Sequence, residues 1–102
     1  MNKLEKAYHD HLDAQLKDGY IERFKFESVR LKLGTLCTYT PDFYVLFKDG
    51  RVEFHEVKGG IWIGDARAKI RMAVETFPEF EFVAVTRRSK KEGGGWVYER
   101  FK

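Results

Sequence analysis

Hydrophobic positions near the N-terminus recur every fourth residue. They predict a helix from Asn2 to about Lys17 that ends near Gly19. The apolar stripe of this helix consists of Leu4, Tyr8, Leu12 and Leu16. At about 100° per residue, Glu5 falls inside the arc of that stripe. Its carboxylate is either directed at the core or turned outward along the edge of the stripe, and helix geometry alone leaves both interpretations open.

Three strands are predicted after this helix. The alternation of the first strand changes parity near Glu27–Ser28, which is typical of a bulge or of a strand buried on both sides. Lys48–Gly50 is the predicted turn between the second and third strands. The predicted strands are Ile21–Leu33, Leu36–Phe47 and Val52–Lys58.

A second helix and one or two further strands complete the pattern. Asp65 is a suitable N-cap for the helix and Pro78 ends it. Phe80–Thr86 is apolar on both parities, as in a strand covered on both faces, and Trp96–Phe101 alternates like an edge strand. The buried face of the helix is expected to consist of Ala66, Ile70, Ala73, Val74 and Phe77. This order of elements predicts an α/β fold in which helices flank a mixed sheet.

Composition and charge narrow the class of protein. A chain of 102 residues with 43% hydrophobic residues is expected to form a single domain, residues 1–102. Its first residues are charged where a signal peptide is apolar, and the single Cys37 cannot form an internal disulfide. We therefore expect a cytoplasmic protein without a membrane span. The net charge of +3 is a weak indication of a polyanionic partner.

Basic residues form two clusters. Each cluster alone is as typical of a solvated surface as of contacts to nucleic-acid phosphates, which is the role we predict for both. The first contains Arg67, Lys69 and Arg71, and the second contains Arg87, Arg88, Lys90 and Lys91 just before Gly93–Gly95.

The relation between Asp42 and Glu56 depends on the length of the turn between their strands. A two-residue loop would place the two carboxylates on opposite faces of the sheet. We predict the other arrangement, a three-residue loop with Gly50 in the left-handed conformation, which places Asp42 opposite Glu56 and puts Lys58 on the same face. Carboxylates opposed in this way lie about 5 Å apart at Cβ and repel each other. Mg²⁺, which prefers oxygen ligands, would relieve that repulsion.

These residues resemble a known family of nucleases. The Pro41–Asp42 pair followed by Glu56-Val57-Lys58 on the next strand is similar to the motif of the PD-(D/E)xK nuclease superfamily. The predicted order from about Leu4 to Thr86 is also similar to the αβββαβ core of that superfamily, the restriction-endonuclease-like core. Small phage-type endonucleases and Holliday-junction resolvases resemble the chain in size and in the glutamate of the first helix.

The resemblance implies a role for each motif residue. Asp42 and Glu56 would bind Mg²⁺ or Mn²⁺, with the Val57 carbonyl as a further ligand. Lys58 would position or activate the attacking water. Glu5 would support the metal site as a member of the catalytic set.

The implied activity is hydrolysis of DNA phosphodiester bonds by a metal-dependent endonuclease. Lys69 matches a basic or polar residue that some members carry on the second helix. So short a chain leaves little room for extensive sequence readout, so branched DNA and a homodimer fit best. Two rivals stay open: a nucleic-acid-binding or protein-interaction module of the same fold without cleavage, and an RNase or restriction-type enzyme.

Histidines and one tryptophan complete the set of candidates. His55 alternates to the face opposite Glu56, and we interpret it as a sheet-surface residue. His9 and His11 are two residues apart on a helix and cannot share a face, which argues against a metal pair. Trp62 is interpreted as a hydrophobic lid, with base stacking as the alternative.

Overall fold

The computed structural model describes residues 1–60 and 65–102, so Trp62 and the loop around it lie outside the described residues. The described chain confirms the predicted α/β class, with two helices, a mixed five-stranded sheet and a separate β-hairpin. The helices are α1 (Lys3–Lys17) and α2 (Ala66–Thr76), and Lys90–Glu92 forms a short 3-10 turn. The strands are β1 (Ile21–Phe26), β2 (Leu31–Gly34), β3 (Cys37–Tyr39), β4 (Phe43–Phe47), β5 (Val52–Lys58), β6 (Glu81–Arg87) and β7 (Trp96–Phe101).

The first helix forms as its sequence predicts. At its start the Asn2 side chain accepts a hydrogen bond from the Glu5 N–H at 2.7 Å, and the Glu5 carboxylate accepts one from the Asn2 N–H at 2.8 Å. This reciprocal cap satisfies two backbone donors that a helix otherwise leaves unpaired. Tyr8 and Leu12 are the buried residues of α1 and pack against the sheet.

Two of the predicted long strands are wrong, because each is divided in the structure. Glu27 adopts a φ of 46°, so the chain leaves the main sheet there instead of continuing through a bulge. Pro41 separates β3 from β4, since proline has no N–H with which to continue a strand ladder. The parts of the two predicted strands that leave the main sheet are β2 and β3. They pair with each other as an antiparallel hairpin.

The main sheet has the order β1-β4-β5-β6-β7. Only the pairing of β5 with β6 is parallel; the other neighbours are antiparallel. β6 is buried from Phe82 to Val85 and β7 is an edge strand, as the sequence predicts. No helix in the described ranges is long and apolar enough to cross a membrane.

The sheet separates two hydrophobic clusters. On one face α1 packs over β1 and β5, and Tyr8, Phe43 and Val45 are fully buried there. On the other face α2 and the β2–β3 hairpin pack together, burying Ile70 and Leu31. Strand β5 lies between the two layers, so its alternate side chains enter different environments.

Several strands and the first helix begin or end at the same end of the sheet. Because β5 and β6 are parallel, with Lys58 beside Thr86, both strands finish at the same end. Strand β4 starts there, since its pairing with β5 is antiparallel. The N-terminus of α1 also lies toward this end, because the helix leads back to Ile21, which pairs with Phe47 at the opposite end.

Candidate active site

The turn between β4 and β5 sets which side chains face each other. The Gly50 N–H donates to the Phe47 carbonyl at 3.0 Å, and the Phe47 N–H donates to the Arg51 carbonyl at 2.9 Å. This is the predicted three-residue loop, and Gly50 has the predicted positive φ, at 91°. Phe43 then pairs with His55, so the next position of the register places Asp42 opposite Glu56. The predicted opposition of the two carboxylates is confirmed.

Both carboxylates are held by specific partners. The Asp42 carboxylate accepts a hydrogen bond from the Val57 N–H at 2.8 Å. One oxygen of Glu56 accepts from the Tyr39 hydroxyl at 2.8 Å, and the other lies 3.2 Å from the Lys58 ammonium. Lys58 therefore shares the face of the two acids, and Glu56 is engaged through both oxygens.

The site favours neutralisation of Asp42. Burial, followed by the negative charge of Glu56, raises the pKa of the Asp42 carboxyl to about 7, although the Val57 N–H acts against the shift. Burial and the same glutamate also raise the pKa of the Tyr39 hydroxyl, which therefore stays protonated and donates to Glu56. Two carboxylates so close together bind a proton or a cation readily, because each disfavours the charge of the other.

Pro41 accounts for the geometry at the head of β4. Extending the β4–β5 register places Pro41 opposite Val57, at a position where two residues normally exchange a pair of backbone hydrogen bonds. Proline has no N–H to donate to the Val57 carbonyl. The Val57 N–H turns to the Asp42 side chain. Since the N–H and C=O of one strand residue point to the same neighbour, the Val57 carbonyl also points toward the Asp42 side of the strand.

A polar cleft of about 340 Å³ opens beside these residues. Glu56 and Lys58 form its floor, Tyr39 of β3 lines one wall, and Asp65 and Lys69 line the side of α2. Asp65 occupies the predicted N-cap position, but its side chain makes no capping hydrogen bond. Tyr39 is not among the predicted site residues, because the pattern of residues 36–47 predicts one long strand. The sequence predicts Asp65 as an N-cap and carries no signal for its place in the cleft.

Glu5 lies near the acidic pair and has a second contact. Its negative charge contributes to the raised pKa of Asp42, after burial, Glu56 and the Val57 N–H. At the same time its carboxylate closes the cap of α1 through the Asn2 N–H. The residue therefore lies between the helix start and the candidate site.

The predicted nucleic-acid contacts separate into two groups. Lys69 lines the cleft, and the segment that carries Arg87, Arg88, Lys90 and Lys91 begins at the same end of the sheet as Lys58. In that segment Arg87 lies over the Trp96 ring at 5.4 Å, and the Ser89 hydroxyl caps the short Lys90–Glu92 turn. By contrast, Arg67 forms a two-pronged ion pair with Glu99 at 2.8 and 3.0 Å, and Arg71 lies 5.5 Å from the Phe101 ring centre.

His55 occupies the predicted face but not the predicted environment. The interpretation of His55 as a sheet-surface residue is wrong, because α1 covers it and only 4% of the residue is exposed. Its Nε2 lies 2.8 Å from the Glu53 carboxylate, and its Nδ1 lies 2.6 Å from the Tyr8 hydroxyl. An ionised carboxylate only accepts, so Nε2 carries the proton and, in a neutral ring, Nδ1 accepts from Tyr8.

Glu53 is a buried carboxylate that belongs to none of the motifs in the sequence. Burial alone would raise its pKa, but hydrogen bonds from His55 and Arg100 outweigh that effect and lower the pKa to about 2. Arg51 contacts the same oxygen as Arg100, at 3.1 and 2.9 Å. This network is structural, since it lies on the face of β5 opposite Glu56 and all its charges are paired.

Comparison with protein-family models, curated proteins and solved structures gives no significant match. Over residues 1–60 and 65–102, no three His, Cys, Asp or Glu side chains are grouped so as to enclose a metal ion by themselves. Mg²⁺ commonly binds through only one or two carboxylates and completes its shell with water and phosphate oxygens. The donor set of Asp42, Glu56 and the Val57 carbonyl fits that pattern.

Proposed function

We propose that this chain is a Mg²⁺- or Mn²⁺-dependent DNA endonuclease of the PD-(D/E)xK type. The observation that carries the proposal is the opposition of Asp42 and Glu56 across β4 and β5, with Lys58 on the same face. A hairpin that served only as scaffold would not need a buried and a partly buried carboxylate facing each other, because their repulsion costs free energy.

The proposed roles follow the contacts of each residue. Asp42 and Glu56 bind the metal ion, and the Val57 carbonyl offers a third oxygen. The bound ion supplies positive charge to the phosphoryl oxygens and lowers the pKa of the attacking water. Lys58 leaves its contact with Glu56 to hold that water or a phosphate oxygen, as a compact cation can. Lys69 contributes a second positive charge inside the cleft.

The substrate is proposed to be branched DNA cut by a homodimer. Positive charge surrounds the site in the form of Lys69 and the segment from Arg87 to Lys91. Such contacts neutralise phosphates and carry no base information, so they suit recognition of shape. A two-fold dimer would present two sites to the two strands of a junction.

One observation favours a second candidate, a DNA-binding module that does not cleave. Both oxygens of Glu56 are engaged, one by Tyr39 and the other by Lys58. A permanently paired glutamate would leave only Asp42 for a metal ion. The two functions differ in whether divalent ions cause strand scission.

The discriminating experiment is a cleavage assay on four substrates. Supercoiled plasmid, single-stranded DNA, a four-way DNA junction and its RNA counterpart are incubated with Mg²⁺, Mn²⁺ or EDTA. We expect scission of the DNA junction with either metal, none in EDTA, and none by Asp42→Asn, which keeps the shape of the side chain and removes its charge. Binding of the junction without scission in either metal would establish the second candidate, and scission of RNA alone would identify an RNase.

A further inference from the structure

The tip of the β2–β3 hairpin carries an apolar side chain in full contact with solvent. Leu36 is 99% exposed, the highest value among the large hydrophobic residues of the described chain. It lies in the turn formed by Thr35 and Leu36 between β2 and β3, where exposed connections normally carry polar residues. A single exposed hydrophobic residue needs no explanation by itself. The position of Leu36 on a hairpin that borders the candidate active site nevertheless suggests a role for it.

The base of the hairpin forms part of the candidate active site. Tyr39, at the end of β3, donates its hydroxyl to Glu56, and Thr38 and Thr40 line the same cleft. Leu31 and Tyr39 are buried against α2 and the sheet, which anchors both strands of the hairpin. The tip is therefore held at a fixed place relative to the carboxylates.

The charge of the hairpin fits a nucleic acid. Residues 28–40 include Arg30 and Lys32, both exposed, and contain no acidic residue. The cleft beneath is lined by Lys58 and Lys69 and also by the acidic Glu56 and Asp65, so the excess of positive charge comes from the hairpin. Proteins that distort DNA commonly insert an apolar side chain between two base steps while surrounding cations bind the phosphates.

We infer that Leu36 is a wedge that inserts between bases of the DNA bound in the cleft and unstacks one step. This inference rests on the proposed function and concerns how the same site selects its substrate. Leu36 lies three residues from Tyr39, so about 10 Å of strand separate the wedge from the residue that contacts Glu56. DNA that is already unstacked, at a branch or a mismatch, binds best because it avoids the cost of opening the step.

The test uses a four-way junction with the fluorescent base 2-aminopurine placed at successive positions from the branch. The full-length protein is added in Ca²⁺, which takes oxygen ligands as Mg²⁺ does, to measure binding and unstacking. Leu36→Ser removes the wedge and Leu36→Phe replaces it with another one. Tyr20→Ser is the matched control, since Tyr20 is 70% exposed and lies where α1 leads into β1. These side chains are exposed, so the variants keep the fold.

We expect the wild type, Leu36→Phe and Tyr20→Ser to raise the fluorescence at one position of the scan. Leu36→Ser should lose that rise and bind the junction about tenfold more weakly, the scale of one buried leucine. A rise and an affinity equal to those of the wild type in Leu36→Ser would overturn the wedge. Scission is scored separately in Mg²⁺ and Mn²⁺. If the wild type unstacks the junction but never cuts it, the proposed endonuclease function is wrong and the inference about Leu36 still holds.

Discussion

The backbone N–H of Val57 donates a hydrogen bond to the carboxylate of Asp42 at 2.8 Å. In the register of β4 and β5 this N–H would ordinarily bond to Pro41, which cannot return a hydrogen bond to the Val57 carbonyl. The proline therefore leaves the Val57 carbonyl without its usual donor across the strand pair, and the Asp42 side chain takes the place of the Pro41 carbonyl as acceptor of the Val57 N–H.

Replacing Pro41 by alanine tests this arrangement. Pro41→Ala supplies an N–H that competes for the Val57 carbonyl, so we expect affinity for Mn²⁺ to fall by about tenfold, as for other groups that support metal ligands. Isothermal titration with Mn²⁺ measures the change. Pro78→Ala, at the exposed end of α2, is the matched control and should bind Mn²⁺ as the wild type does. An unchanged affinity in Pro41→Ala would mean that the carbonyl is not a ligand.

Lys58 separates chemistry from binding. Lys58→Ala should lower the single-turnover cleavage rate in Mg²⁺ by about 10²–10⁴-fold, the range for groups that assist proton transfer. DNA affinity in Ca²⁺ should stay near that of the wild type, because one contact among many changes the salt dependence by about one unit at most. Lys48→Ala is the control, since Lys48 lies in the turn at the other end of β5 and pairs with Glu22. Cleavage by Lys58→Ala at the wild-type rate would reduce Lys58 to a phosphate contact.

Glu5 has a structural contact and a proposed electrostatic role, and two variants distinguish them. Gln serves as well as Glu at this position of a helix cap, so Glu5→Gln keeps the contact with Asn2 and removes only the charge. We expect Glu5→Gln to retain the thermal midpoint of the wild type but to bind Mn²⁺ more weakly. Glu5→Ala should in addition lose about 0.5–1 kcal/mol of unfolding free energy. If Glu5→Gln binds metal and cleaves as the wild type does, Glu5 is a cap and nothing more.

The buried Glu53 predicts the acid limit of stability. Its pKa is lowered from 4.5 to about 2 in the folded chain, so its contribution is complete above pH 4.5 and is lost as pH falls toward 2. Glu53→Gln should lose about 3 kcal/mol of unfolding free energy at neutral pH, because His55 and Arg100 lose their carboxylate, and should flatten the acid slope. Urea unfolding between pH 2 and 7 measures both effects.

Glu81→Gln is the matched control for this variant. Its carboxylate contacts Arg51 and Arg100, the same arginines that contact Glu53, but it is about half exposed. A solvated pair of this kind contributes at most about 1 kcal/mol. Equal losses in the two variants would show that burial of Glu53 does not matter.

The features of the site that depend on neighbouring residues in the chain could be predicted from the sequence. The three-residue turn predicted at Lys48–Gly50 sets the register of β4 and β5, and alternation then places Asp42, Glu56 and Lys58 on one face. The same alternation could not show that the chain leaves the sheet at Glu27, since a change of parity is common to a bulge and to a break. Alternation also gives the face of His55 but not what covers that face, which depends on where α1 docks.

The alternation of β5 has a consequence for engineering the chain. This strand carries ionisable side chains on both faces, with Glu53 and His55 under α1 and Glu56 and Lys58 on the other side. A shift of one position in the pairing of β5, which a change in the length of the Lys48–Gly50 turn can cause, would exchange the two sets. Exposed turns are usually the safest places to insert a tag or an epitope. In this protein that turn should be substituted only at constant length, and insertions belong elsewhere.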